Sequence, residues 1–131
     1  MFLNISKHAS QYWPDAQRRA AEQIGGAIVD LEFPDVPPEA EESEIEVLAG
    51  RITDQVASLQ PSAAMVQGEF TLTWLIVQRL QAMGIPCYSA TTRRDVAVQR
   101  QPDESAKKVS TFRFVRFRRY PETKRQVSKS L

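Results

Sequence analysis

The 131-residue chain has few of the residues that build metal centres and disulfides, with one cysteine, Cys87, and one histidine, His8. A single cysteine allows no disulfide within the chain, which favours a reducing, cytoplasmic setting. Cys87 follows Pro86 inside an apolar strand pattern, so we expect it in the core rather than acting as a nucleophile. No pair of carboxylates has ligand spacing, and the sequence therefore predicts neither a metal site nor a cofactor.

Long apolar runs are also missing. The longest strongly apolar run covers residues 74–77, and the amino terminus has neither a basic start nor a long apolar stretch. We therefore expect no membrane span and no secretory signal. The glycine patterns GxGxxG and GxxxxGK[ST] do not occur, so neither a dinucleotide fingerprint nor a P-loop supports a nucleotide site.

Length and composition predict one domain with one core, since 42% of the residues are hydrophobic. We expect this domain to cover residues 1–120 and a basic, polar tail to cover residues 121–131. The net charge of +1 hides an uneven distribution. Nine acidic residues lie between Asp30 and Asp54, whereas nine basic residues lie between Lys107 and Leu131. The carboxyl-terminal third is therefore basic.

Short apolar runs alternate with helical patterns along the first 90 residues. The apolar runs cover residues 2–5, 27–33, 63–66 and 85–90. Helical spacing between them predicts a βαβαβαβ order, which is typical of an α/β protein with a parallel sheet and right-handed crossovers. Two extended stretches, 95–100 and 109–118, flank turn-forming residues and predict a C-terminal β-hairpin added to this sheet.

The corner at residues 66–73 is the centre of the site prediction. An apolar run ends at Val66, Gly68 bends the chain, and helical spacing begins at Leu72. Ligands of open parallel sheets bind beyond the carboxyl ends of the strands, so polar residues at this corner stand where a site is expected. These residues are Gln67, Glu69, Thr71 and Thr73. Thr71 is also a candidate helix cap, and the free amides of a first helical turn attract phosphate.

Polar residues meet at one sheet edge if the first, third and fourth strands are neighbours. They are Asn4, Ser6, Lys7 and His8, then Gln67 and Glu69, then Thr91, Thr92, Arg93 and Arg94. Arginine forks bind phosphate oxygens, and a histidine exchanges a proton near neutral pH, so the set predicts a phosphate or nucleotide site. Ordinary roles remain open: His8 as a loop histidine without chemistry, and Glu69 as a carboxylate that stabilises a helix start.

The last strand interleaves aromatic and basic residues. The pattern consists of Phe112, Phe114 and Phe117 with Arg113, Arg116, Arg118 and Arg119. Single-strand nucleic-acid binders stack bases and neutralise phosphates with such residues. An amphipathic edge strand, with aromatics on the core and charges that oppose aggregation, produces the same pattern. We favour the edge strand, because alternation alone is ordinary in strands.

Four stretches together resemble a small prokaryotic family associated with CRISPR loci. They are FLNISKH at 2–8, MVQGEFT at 65–71, ATTR at 90–93 and FRFVRF at 112–117. The resemblance implies a Rossmann-like protein, similar to the CARF-type domains and ring nucleases of type III systems, which bind cyclic oligoadenylate across a homodimer. It implies a metal-independent reaction, in which a ribose 2′-hydroxyl attacks the neighbouring phosphate in line and leaves a 2′,3′-cyclic phosphate.

The sequence thus leads us to expect a cytoplasmic homodimer that binds and cleaves cyclic oligoadenylate in antiviral defence. The catalytic candidates are His8, Glu69 and Arg93, and the ligand-binding candidates are Asn4, Ser6, Lys7, Gln67, Gly68, Thr71, Thr91, Thr92 and Arg94. Two alternatives stay open: a non-catalytic nucleotide-sensing module with the same pocket, and a structural protein that docks through its basic tail and acidic second helix. We expect no binding to a membrane or to duplex DNA.

Overall fold

The computed structural model describes residues 1–122, so most of the predicted tail at 121–131 lies outside the described residues. The strands are β1 (Phe2–Ser6), β2 (Ile28–Glu32), β3 (Ala63–Val66), β4 (Cys87–Arg100) and β5 (Ala106–Arg119). The helices are α1 (Asp15–Gly25), α2 (Glu42–Leu59) and α3 (Phe70–Ala82), and a short 3₁₀ turn at Ser10–Tyr12 precedes α1.

The five strands form one sheet in the order β2-β1-β3-β4-β5. The first four strands are parallel, and β5 pairs antiparallel with β4. The predicted α/β class is therefore confirmed, with a Rossmann-like, mostly parallel sheet and a C-terminal hairpin. Successive crossovers leave β1 in opposite directions, so a crevice opens between β1 and β3 at their carboxyl ends.

Helices cover the sheet on both faces. On one face, α2 and α3 bury the larger part of the core, and the apolar stripe of α2 is buried at Ile45, Ala49, Ile52 and Val56. On the other face, the shorter α1 packs beside a second cluster that contains Phe2, Trp13 and Phe117. Gly26 ends α1 with φ +83°, a left-handed conformation that glycine adopts without strain.

Aromatic rings fill the α1 face where β4 and β5 leave the sheet. The ring centroid of Phe117 lies 5.1 Å from that of Phe2 and 6.0 Å from that of Trp13. Phe114 continues the cluster at 5.0 Å from Phe117. These two aromatics of the last strand therefore pack on the core, as the edge-strand interpretation predicts, whereas Phe112 keeps 69% of its surface exposed.

The fourth strand is longer than the sequence predicted. The strand predicted over residues 85–90 does not end at Ala90, because β4 continues to Arg100 and includes the extended stretch predicted at 95–100. β5 pairs with it as far as the Arg100–Ala106 pair, with a register shift between Thr91 and Thr92, whereas β3 pairs with it only at Cys87 and Tyr88. Residues 91–116 therefore form a two-stranded arm that extends past the other strands.

Candidate functional site

A cavity of about 680 Å³ opens on the α1 face, beyond the carboxyl ends of β1 and β3. The lining residues come from five parts of the chain: Ser6, Lys7 and His8; Trp13, Pro14 and Gln17; Met65, Gln67 and Gly68; Ala90 and Thr92; Phe112 and Phe114. Its volume falls within the range of roughly 300–1,000 Å³ that small-molecule sites occupy. We call it the switch-point cavity, because it lies where doubly wound sheets bind their ligands.

Hydrogen bonds from beneath fix the loop that follows β1. Asn4 is buried, with 1% of its surface exposed, and its Nδ2 donates to the His8 carbonyl at 2.8 Å and to Oδ1 of Asp30 at 2.9 Å. Trp13 Nε1 donates to the same carbonyl at 3.1 Å. Two side chains from different elements therefore set the position of the His8 backbone.

Ser6 completes this network from the end of β1. Its Oγ donates to Oδ1 of Asn4 at 2.7 Å and accepts from the His8 amide at 3.1 Å. Both amide atoms of Asn4 thus have partners inside the protein. Asn4, which we predicted as a ligand contact, supports the cavity loop from below and does not line the cavity.

Lys7 brings a positive charge to the lining of the cavity. Its side chain is about half exposed and forms an ion pair with Asp35, and the hydrogen bond and charge of Lys7 hold the pKa of that carboxyl below its usual range. Exposed ion pairs of this kind contribute little to stability. Lys7 is therefore free to exchange Asp35 for an anionic group of a ligand.

The loop after β3 is held by its own side chain. The side-chain Oε1 of Gln67 accepts from the backbone amide of Ala90 at 2.5 Å. The backbone amide of Gln67 donates to the Ile5 carbonyl at 3.0 Å. Because β3 has ended, the Gln67 side chain takes the place of the next ladder bond to β4. This bond ties the cavity floor to the base of the arm.

Gly68 is required by close packing rather than by the shape of the turn. A Cβ added there would lie 2.5 Å from ring atoms of Phe33, a residue with 1% of its surface exposed. The ring of Phe33 belongs to the α2 and α3 face of the sheet. The glycine therefore lets the cavity loop pass directly over the opposite core.

Glu69 and Thr71 lie away from the switch-point cavity. Glu69 is the N-cap of α3: its Oε1 accepts from the Leu72 amide at 2.8 Å and from Thr71 Oγ1 at 2.5 Å. The Thr71 hydroxyl and the first-turn amides lower the pKa of Glu69, although partial desolvation opposes them. A carboxylate with a lowered pKa is a weaker base, and the cap is Glu69 rather than Thr71.

Both residues line a second, mostly apolar groove of about 620 Å³ on the face that α2 and α3 cover. We call it the α2–α3 groove, and its lining includes Val36, Pro38, Ile45, Trp74 and Leu75 with Glu42 and Glu46 at its edge. Glu69 and Thr71 are thus separated from the predicted site residues that line the switch-point cavity.

Of the four predicted residues after Ala90, the structure brings only Thr92 to the switch-point cavity. Thr91 Oγ1 donates to the Arg116 carbonyl at 2.9 Å, and Arg94 Nη2 donates to Ser110 Oγ at 2.9 Å across the arm. Arg93 pairs with Arg113 and, by strand alternation, points to the face opposite Thr92.

Several cavity residues escaped the sequence prediction: Trp13, Pro14, Gln17, Met65, Phe112 and Phe114. The signal for the two phenylalanines was their alternation, which puts Phe112 and Phe114 opposite Arg94 and Thr92. Trp13 and Gln17 gave no such signal, because their place depends on how α1 packs on the sheet.

Neither a metal cluster nor a membrane-spanning helix is found in the part of the chain that the structure describes. Within residues 1–122, no three histidine, cysteine, aspartate or glutamate side chains come together as a metal site. No helix over the same residues combines the length and the apolar character needed to cross a bilayer.

Comparison with known proteins gives one match. No curated protein and no solved structure matches the chain. A family model described as the uncharacterized protein MJ1673 family matches residues 1–118, and the match ends one residue before the end of β5. Both loops of the switch-point cavity and the whole arm fall inside this match. The chain therefore belongs to the MJ1673 family.

Proposed function

We propose that the protein binds a nucleotide in the switch-point cavity, and that its natural ligand is cyclic oligoadenylate. The observation that supports this most is the composition of the cavity: a cation and a histidine on one loop line the same cavity as two aromatic rings from β5. A nucleotide combines the groups that such residues bind, a stacking base and a phosphate.

The aromatic side supplies the base contacts. Phe112 is 69% exposed at the cavity wall and offers a ring face to a base, and stacking of this kind contributes about 1–3 kcal/mol per base. Gln17 lines the same wall with an amide that both donates and accepts hydrogen bonds. An adenine held here would stack on the ring and pair its edge with an amide.

The opposite side supplies the phosphate contacts. Lys7 and His8 are both exposed at the end of β1, and their backbone is fixed by Asn4 and Trp13. A fixed loop binds an anion without a large loss of conformational entropy. Lys7 would exchange Asp35 for the phosphate.

The proposal includes two copies of the chain. A ring of several nucleotides is larger than one cavity of this volume, so two cavities related by a two-fold axis would each hold part of the ring. A homodimer in the cytoplasm, where the buried lone Cys87 stays reduced, fits this arrangement.

Ring cleavage is the second part of the proposal. A ribose 2′-oxygen would attack the adjacent phosphorus, the 5′-oxygen would leave, and the product would carry a 2′,3′-cyclic phosphate. His8 would accept the 2′-hydroxyl proton or deliver a proton to the leaving oxygen, and Lys7 would stabilise the charge on phosphorus. Glu69 and Arg93 lie outside the cavity, so cleavage would depend on His8 and Lys7.

The placement of Glu69 and Arg93 favours one alternative, a nucleotide-sensing module that binds the ring and leaves it intact. Binding needs the cavity alone, whereas cleavage needs, in addition, a group that moves protons. The two functions therefore separate in a variant that keeps the cavity and loses His8.

Incubation of the full chain with cyclic tri-, tetra- and hexa-adenylate in EDTA, followed by liquid chromatography with mass detection, tests both parts. Linear fragments ending in cyclic phosphate support cleavage. His8→Ala should then lose product and keep binding, Lys7→Ala should weaken binding, and Arg93→Ala, outside the cavity, should retain both. Intact rings that shift the melting temperature select the sensor. Intact rings without a shift overturn nucleotide binding and favour a protein-docking role.

A further inference from the structure

One face of the arm carries apolar and basic residues that remain exposed in the part of the chain that the structure describes. Val96 and Val98 are 54% and 63% exposed. By pairing and strand alternation they share this face with Arg94, Arg100 and Lys108, and the hydrogen bond from Arg94 to Ser110, the partner of Val96, confirms the face. We call these five residues the arm stripe.

The α2–α3 groove has the complementary character. Its apolar lining includes Trp74, which is 60% exposed. Glu42 and Glu46 stand at its edge on the first turns of α2, and Glu39, Glu41 and Glu44 add exposed negative charge beside them. The groove therefore complements the arm stripe in two ways: both have apolar surface to bury, and the acidic edge of the groove is opposite in charge to the cations of the stripe.

We propose that the arm stripe of one copy of this chain docks in the α2–α3 groove of a second copy. Val96 and Val98 would cover the exposed indole of Trp74, while Lys108 and Arg100 would pair with Glu46 and Glu42. The arm has seven basic and three acidic residues, whereas α2 has four acidic residues and one basic residue, so the two surfaces attract each other in this orientation.

Docking of the arms would be reciprocal in a dimer with two-fold symmetry. Each copy donates its arm once and receives its partner's arm once, which leaves no stripe and no groove unfilled. The exposed valines argue for a protein partner over a nucleic acid, because a polyanion would neutralise the cations and leave both valines in water. The pairing needs no nucleotide, so the ligand-free chain tests it. Because Arg94 of the stripe lies opposite Phe112, the docked arm would lie beside the switch-point cavity.

Two neighbouring lysines provide a matched pair of variants. Lys108 lies on the arm stripe, whereas Lys107 pairs with Gln99 on the opposite face, and both are exposed. Sedimentation equilibrium of the ligand-free full chain, over a series of protein concentrations, measures the dimer dissociation constant. Lys108→Glu and Glu46→Lys should each raise it about tenfold, because each places like charges in contact. Lys107→Glu should leave it unchanged.

Both reversals in one chain restore opposite charges, so the double variant should recover most of the wild-type affinity. A wild-type protein that stays monomeric, equal effects of Lys107→Glu and Lys108→Glu, or no recovery in the double variant would overturn the pairing. Assemblies that keep growing with concentration would overturn the closed exchange. If the wild-type protein is a monomer that binds a single-stranded RNA oligonucleotide, and the Lys108→Glu variant binds the same RNA more weakly, the arm stripe is a nucleic-acid site instead.

Discussion

The side-chain amide of Asn4, buried in β1, donates to the backbone carbonyl of His8 across 2.8 Å. This bond connects the core of the sheet to the residue on which the proposed chemistry depends. Asn4 also binds Asp30 of β2 and accepts from Ser6, so a single buried amide joins two strands and the cavity loop.

Asn4→Ala should lower the free energy of unfolding by about 1–3 kcal/mol, because it leaves the His8 carbonyl and the Ser6 hydroxyl with fewer partners in a buried setting. Urea denaturation measures this loss. Ser10→Ala, which removes only an exposed hydrogen bond to Asp30, is the control and should cost much less. Equal stabilities for Asn4→Ala and the wild type would show that the network contributes nothing.

Gly68→Ala should destabilise the protein by about 1–3 kcal/mol, since its new methyl group would overlap the buried ring of Phe33. Gly50→Ala is a matched control in α2, where the nearest atom to a new Cβ is 3.8 Å away. That change should stabilise by about 0.5–1 kcal/mol through helix propensity. Phe33→Leu should reduce the cost of Gly68→Ala in a double-mutant cycle, and additive effects would contradict the clash.

Burial of Cys87 raises the pKa of its thiol from 9.0 to about 12. The folded protein therefore holds this proton where the unfolded chain releases it, and the associated stability falls as the pH rises from about 9 toward 12. Burial also raises the pKa of Tyr120, which acts in the same direction. Denaturation at several pH values should show a steeper loss for the wild type than for Cys87→Ala.

Thiol labelling gives an independent check on the same residue. Cys87 has no exposed surface, so iodoacetamide should modify it in denaturant and spare it in the native protein. Rapid labelling of the folded chain would contradict a core position.

Thr73→Val should raise the free energy of unfolding by about 1 kcal/mol. The Thr73 hydroxyl is buried in α3 without a hydrogen-bond partner among the described residues, and a methyl group of the same shape removes that cost. Thr53→Val is the control. Thr53 Oγ1 donates to the Ala49 carbonyl at 2.8 Å, so the protein should lose stability when this hydroxyl is removed. Thermal unfolding of both variants decides the sign.

The sequence was sufficient for the fold and for one edge of the site. Apolar runs and helical spacing predicted the parallel strands, and the neighbouring positions of β1, β3 and β4 bring Ser6, Lys7, His8 and Gln67 together as expected. These features depend on short-range pattern and on the handedness of crossovers. Such information is present in any single sequence.

The sequence pattern could not predict on which surface the residues of the corner at 66–73 and of the arm would lie. Gln67 and Glu69 are two residues apart, yet one lines the switch-point cavity and the other caps α3 beside the second groove. The full length of β4 depends on its pairing with β5, and residues 91–94 alone carry no information about that pairing. The first outcome follows from the start of α3, with Glu69 as its N-cap, and the second follows from strand pairing, which only the assembled sheet specifies.

The arm has one further consequence, for hydrogen exchange. Among the described residues, β4 beyond Ala90 hydrogen-bonds only with β5, whereas β1 is flanked by both β2 and β3 from Phe2 to Ile5. Amides near the turn at residues 101–105 should therefore exchange by local opening of the arm, and those of β1 only when the whole domain unfolds. A partner that docks on the arm would slow exchange there, which makes the arm a sensitive reporter of binding in the intact protein.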